Sequence, residues 1–358
     1  MTVDLQEPQQ DAMIERFGAM RPAIRWMIIA ALGVFVLSVV QAIEGTSQLT
    51  SSGTWSSALR LAAPILCAGL GGLFSERAGV VNIGLEGMMI AGMWFGAWAG
   101  WQYGPWQGVI LGVAGGAVFG LLHAIATVTF AVDQIVSGVA INILAPASMR
   151  FLSSVIYTPD TGGGVTQSPR IQDFIPTFNV PLLSDWMTTI AGKEWFFISD
   201  IAGILGGFVT DMSYLTLIVL ALVPLSWWVL WRTAWGLRLR SVGENPWAAE
   251  SLGVAVIRMK YWGVVISGIF AGLGGAYLVV VSQGIYREGS TGGRGFIGLA
   301  ALIFGNYNPF GVLAGSGVFG FSQALSLREG AVHALLLLVA VGLLLLALYT
   351  VYRLSLIH

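Results

Sequence analysis

The stretch WGLRLRSVGENPWAAESLGVAVIRMK, Trp235 to Lys260, is the one strongly polar interruption in an otherwise apolar second half of the chain. Apolar runs flank it, about Tyr214 to Trp231 before and about Tyr261 to Val281 after. Each can cross a hydrocarbon core of roughly 30 Å as a helix of about 20 residues. Arg232, Arg238, Arg240, Arg258 and Lys260 make this the densest basic cluster in the sequence, which places the loop inside by the positive-inside rule. Within it Asn245 can cap a short helix, Pro246 suits the first position, and Ala248, Ala249 and Glu250 favour the body. Gly253 can end the helix in the left-handed conformation. A helix of about two turns is marginal alone in water, so the stretch is either a solvated connection or an element that docks on something outside the lipid.

Composition extends this reading to the whole chain. Of 358 residues, 56% are hydrophobic and 10% charged, against roughly a quarter charged in soluble domains. Repeated apolar runs therefore predict an all-α, polytopic transmembrane helical bundle of about ten segments, a single domain over residues 26–353 behind a polar tail over 1–25. A net charge of −1 provides no surface for nucleic acid. Cys67 lies in an apolar run, reads as a buried small residue and has no second cysteine to pair with. Asp4, Glu7, Asp11 and Glu15 stand where a secretory leader needs positive charge, so the tail is expected to be cytoplasmic rather than cleaved. Arg16, Arg21 and Arg25 before a first span at Trp26 to Ile43, and Arg353 after a last one at Ala334 to Tyr352, put both ends inside.

Two breaks interrupt the pattern. Span two, about Ser57 to Phe74, runs into SERAGVVNIGLEGMM before span three at Met88 to Gly100, and span seven, about Tyr261 to Val281, runs into QGIYREGSTGGRGF, Gln283 to Phe296. Irregular backbone at membrane depth is tolerated only where protein or a water-filled cavity covers it, so Asn82 and Glu86 belong either to an interfacial turn or to the lining of a path. Spans four and five, about Trp106 to Val128 and Ile135 to Leu152, turn at Asp133 and Gln134. His123 near this turn reads as a packing residue, since no second histidine or cysteine stands at ligand spacing, and no metal site is visible. Asn142 can join helices or face a path. Residues 156–212 form an external loop broken by prolines, with an apolar piece at Trp195 to Phe208 that lies on the interface or re-enters. Gly268, Gly272, Gly274 and Gly275 allow close helix approach in span seven. Because the breaks fall on opposite sides, segments two to five and seven to ten are candidate inverted repeats.

Four runs carry a resemblance: FSERAGVVNIGLEGMM (Phe74 to Met89), DQIVSGVAINIL (Asp133 to Leu144), SVGENPWAAESLGV (Ser241 to Val254) and GGRGFIGLAALIFGNYNPFG (Gly292 to Gly311). They resemble bacterial ABC importer permeases for nucleosides, within the wider branched-chain amino acid and simple sugar permease family, and the likeness covers about residues 55–350. The tryptophan-rich composition and the terminal RLSLIH depart from it. The resemblance implies a multi-pass permease of the bacterial cell membrane that pairs with a second, similar permease, an ABC ATPase subunit and an extracytoplasmic substrate-binding lipoprotein. It also implies that the cytoplasmic loop, 232–260, holds a coupling helix seated in a groove of the ATPase. Arg238, Arg240, Ser241, Gly243, Glu244, Asn245, Pro246, Ala249 and Gly253 are the residues so assigned. Arg238 and Arg240 are expected to set its position against acidic groups or lipid phosphate, with Glu244 and Ala249 facing the partner.

The only lysines, Lys193 and Lys260, lie outside any G-x-x-x-x-G-K-[ST] phosphate loop. The chain is therefore expected to need no cofactor of its own, with ATP bound by a partner, and it has no nucleophile elbow or H-E-x-x-H pattern to mark an enzyme. The path is expected to be lined by Asn82, Glu86, Asn142, Asn306 and Asn308, polar enough to pass a sugar and base without holding them. A proton-coupled transporter is the alternative, with Glu86 and Asp133 as relay residues.

Overall fold

The computed structural model describes residues 22–44, 47–157, 162–193 and 195–328. The tail through residue 21 and the expected last span, Ala334 to Tyr352, lie outside them. Helix α1 covers Pro22–Glu44, so it begins within the stretch expected to be tail. It is followed by α2 (Ser52–Arg77), α3 (Leu85–Tyr103), α4 (Pro105–Ala124, continued as a π-helical turn over Ile125–Thr129) and α5 (Gln134–Ile156). Then come α6 (Leu183–Ala191), α7 (Ile198–Val209), α8 (Tyr214–Arg232), α9 (Ala234–Glu244) and α10 (Pro246–Ser251). The remainder is α11 (Val256–Tyr277, continued as π helix over Leu278–Gln283), α12 (Arg294–Phe304) and α13 (Pro309–Ser326).

Among the described residues five helices are long and apolar enough to cross a membrane: α2, α4 with its π turn, α5, α8 and α11 with its π turn. The chain is an all-α membrane bundle. Helices α3 and α13 have similar lengths but more small and polar residues, and α12, at 11 residues, reaches about 16 Å, roughly half a span. Among the described residues, five full-length spans and several shorter pieces thus stand where about ten segments were expected.

The centre is α2 and α11, each with 78% of its apolar window buried, whereas α5 has 28% and is peripheral. Gly263 lies against Ala78 and Gly274 against Pro64 and Cys67, so α2 and α11 run antiparallel. Gly92 meets Gly272 and Gly96 meets Ala276, so α3 runs parallel to α11. Backbones touch at Gly275, where an added Cβ would stand 2.0 Å from the Met89 carbonyl oxygen, and at Gly116, where it would stand 2.3 Å from that of Gly268. Any larger residue would force these helices apart, as expected where small residues let backbones touch.

The 156–212 loop is more ordered than its prolines suggest. Residues Thr177–Phe178 pair antiparallel with Met212–Ser213. Its first part runs beside the second break: the amides of Ser168, Ile171 and Ile175 donate to the carbonyls of Tyr286, Gly284 and Val280, and that of Glu288 to Thr166. Helix α7, holding the apolar piece, packs on the start of α2, with Gly203 at the Thr50 carbonyl and Gly207 at Trp55. Asp200, which made this piece a poor span, accepts from Gln41 Nε2 at 2.8 Å and Thr50 Oγ1 at 2.6 Å, tying α7 to α1 and to the approach to α2.

Candidate translocation and coupling site

Both breaks re-enter the bundle and meet inside it. The chain leaves α2 at Arg77, turns at Gly79 (φ 75°) and returns, with Ser75 Oγ donating to the Val80 carbonyl at 2.6 Å, to start α3 at Leu85. From the opposite end it leaves α11, turns at Gly284 (φ 70°), passes Met93 at Ser290 and starts α12 at Arg294. Gly298 lies against Ile65, Ala68 and Gly69, Leu302 against Gly72, and the Tyr307 carbonyl accepts from Arg77 at 2.9 Å. Thus α12 runs parallel to α2, and its first turn lies beside the middle of that span. Helices α3 and α12 leave their meeting point in opposite directions, which is the polarity expected of inverted repeats.

Glu86 joins the two breaks. Its Oε1 accepts from the Gly293 amide at 3.0 Å and its Oε2 from the Gly295 amide at 2.7 Å. A buried carboxylate thereby satisfies two of the amides that a helix start leaves unpaired, and it complements the positive end of α12. An added Cβ at Gly295 would meet the Glu86 amide nitrogen at 2.5 Å, so this approach requires glycine. Asn82 is fully buried, with Nδ2 donating to Ser267 Oγ at 2.9 Å and to Met88 Sδ at 3.4 Å, while its Oδ1 has no partner. Asn142 accepts from the Gly87 amide at 2.7 Å and donates to the Ile83 carbonyl at 3.0 Å, joining α5 to the start of α3.

The five residues expected to line a path therefore divide. Asn82, Glu86 and Asn142 converge on the junction. Asn306 and Asn308 lie at the far end of α12, in a turn with Asn306 at φ 50°, where Asn308 caps α13 by accepting from the Phe310 amide. Asp133 caps α5 through the amides of Ile135 and Val136. His123 is buried and packed as expected, with Nδ1 2.8 Å from Ser137 Oγ.

At the basic end, the expected helix is present as α10. Asn245 caps it by accepting from the Ala248 amide, Pro246 is its first residue, and Gly253 follows at φ 81°. Two features differ from expectation. Ala249 is only 2% exposed and packs into the main core, so the large apolar side chains that α10 and its end present outward are Trp247, at 82%, and Leu252, at 84%. Arg240 donates to the Leu230 carbonyl at 2.9 Å and lies over the Trp231 ring rather than against an acidic group; Arg238 and Glu244 are exposed. Six residues show too little periodicity for a buried face to be read from sequence, which is why the direction of Ala249 was missed.

Sequence reasoning also missed α9, capped by Thr233, because its mixed charges look like loop. This helix links α10 to the first break. An added Cβ at Gly243 would stand 2.4 Å from the Arg77 carbonyl oxygen and 3.1 Å from the Gly79 nitrogen. Within the same helix Ser241 Oγ donates to the Arg238 carbonyl. The Arg77 guanidinium lies 5.4 Å from the centre of the Trp231 ring, which also carries Arg240. Displacement of α9 therefore bears on the end of α2, the first break and, through Arg77, the turn after α12.

At the opposite end a cavity of about 500 Å³ is lined by Arg170, Gln283, Ile285, Arg287 and Ser290. Its lining comes from the two paired loops, and Ser290 leads from it toward Arg294.

Residues 54–348 match the family described as the branched-chain amino acid transport system permease component. The chain is 40% identical to the guanosine ABC transporter permease protein NupQ of Bacillus subtilis, over 74% of this chain and 79% of that one. It is 38% identical to the nucleoside ABC transporter permease protein NupC of Lactococcus lactis, over 75% and 80%. A second guanosine permease protein of Bacillus subtilis, NupP, is 24% identical over 82% of each chain. No solved structure matches.

Proposed function

The chain belongs to the permease-component family of branched-chain amino acid transport systems, and from that premise we propose that it moves nucleosides inward across the bacterial cell membrane. It is a multi-pass permease subunit of an ABC transporter, and its relatives include two different guanosine permeases of one bacterium. It works beside a second, related permease, an ATPase that binds the ATP, and an extracytoplasmic lipoprotein that delivers the nucleoside. The basic end faces the cytoplasm, a reading that the arginines of α9 and its flanks support. The identity with two nucleoside permeases across about three quarters of the chain carries the substrate assignment.

Coupling follows from the geometry. A capped helix is rigid enough to transmit a push, and α10 presents Trp247 and Leu252, two large apolar side chains, beyond the bundle end. Exposed apolar anchors of this kind suit a partner pocket. Their displacement reaches the first break through Gly243. A proton relay is not favoured, because Glu86 and Asp133 are both committed to helix caps.

The test uses the chain coexpressed with its second permease, ATPase and lipoprotein. Trp247→Glu combined with Leu252→Glu is expected to insert normally, lose the ATPase on purification and abolish ATP-driven guanosine uptake into vesicles. Full recovery of ATPase with wild-type uptake would remove α10 as the docking element. Guanosine uptake by the wild-type chain without ATPase, driven by a proton gradient, would replace the ABC reading.

A further inference from the structure

Arg294 is the first residue of α12 and stands beside the middle of α2, yet it is only partly buried. Its Nη1 donates to the Ser290 and Thr291 carbonyls at 3.3 and 3.0 Å, and its Nη2 reaches Gln323 Oε1 on α13 at 3.5 Å; its Nε is buried without a partner. A guanidinium at this depth cannot rest against lipid tails without a large cost, so the face it occupies borders water or protein. Ser290, whose carbonyl holds it, also lines the cavity that carries Arg170 and Arg287. Three arginines thus lie between the outer cavity and the level of the junction, linked through Ser290. Two carboxylates lie nearby: Glu86, buried and held by two amides, offsets part of the Arg294 charge, and Glu288 is turned to Arg150 at 3.9 Å, so the guanidiniums still outnumber the carboxylates.

We infer that Arg294, with Arg170 and Arg287 above it, forms an electrostatic filter that passes uncharged or anionic polar solutes and turns away cations. The inference rests on the transport reading given above and adds a selection step within the permease itself. A fixed guanidinium repels an approaching cation strongly where water is scarce, while the remaining Nη2 hydrogen can still be offered to a hydroxyl or a carbonyl. A nucleoside, uncharged and rich in acceptors, meets no barrier of this kind.

The complex is reconstituted in vesicles with its ATPase, second permease and lipoprotein. Uptake of guanosine is compared with that of 5′-amino-5′-deoxyguanosine, cationic at neutral pH, with the lipoprotein shown to be saturated by each. The wild type is expected to favour guanosine by tenfold or more, Arg294→Gln to shrink that preference by about tenfold, and Arg294→Lys to keep it. Copurification of the ATPase confirms that each variant assembles. An assembled Arg294→Gln with the wild-type preference, or a wild type without preference, overturns the filter. A wild type that carries no guanosine overturns the nucleoside assignment instead. The filter is then decided by proton entry under an imposed potential, expected to be faster in Arg294→Gln than in the wild type and Arg294→Lys, and refuted by equal rates.

Discussion

At the scale of single residues, what the sequence reveals depends on how near the partner is. Asn245 and Pro246 read correctly because a cap acts on amides two or three residues away. Glu86 did not, because the amides it serves are 207 and 209 residues distant. Polar residues in apolar runs marked the junction, but not which of them hold it together. Glu86→Ala would leave two amides at the start of α12 without their partner, one of them fully buried, a loss of roughly 2–4 kcal/mol. Glu86→Gln keeps acceptor capacity at one position and should cost less. Thermal unfolding in detergent is expected to rank wild type above Glu86→Gln above Glu86→Ala. Equal midpoints for wild type and Glu86→Ala would mean that the carboxylate does not secure α12.

At the scale of elements, spans two, four, five and seven and the apolar run at Tyr214 to Trp231 were legible to within a few residues, since hydropathy over about 20 positions is a strong signal. The pairing of residues 166–175 with 280–288 was hidden, because backbone ladders between irregular strands leave little trace in side-chain pattern. Helix α9 was hidden for a different reason, its buried Leu239 and Val242 being interleaved with Arg238 and Arg240. That element makes a specific prediction. Gly243→Ala sets a methyl 2.4 Å from the Arg77 carbonyl, a clash with backbone that must push α9 away from the first break. The outward face of α10 is untouched by it. The variant is therefore expected to retain its ATPase on purification while nucleoside uptake per ATP hydrolysed falls by about tenfold or more. An unchanged transport ratio would show that movement reaches the spans by another contact.

At the scale of the whole molecule, the exposed faces of the bundle differ in kind. Helix α5 presents Ile135, Val139, Ile143, Phe151 and Val155, an apolar stripe suited to lipid. The face of α12 and α13 also presents apolar side chains, Ile303, Phe304, Phe310 and Val318, but it carries Arg294 and Gln323 among them. A lipid-facing surface has no use for a guanidinium near its middle, so the proposed second permease is expected to cover the α12–α13 face, beside Arg294. Cys67 is fully buried, so single cysteines can be introduced at the surface with little background from the native thiol. Phe304→Cys is expected to cross-link through a short bifunctional maleimide to a cysteine scanned along the corresponding face of the second permease, whereas Val155→Cys should react with a lipid-soluble maleimide and form no such cross-link. Cross-linking from Val155→Cys with none from Phe304→Cys would place the partner on α5, and Arg294 would then need a water-filled pocket within this chain alone.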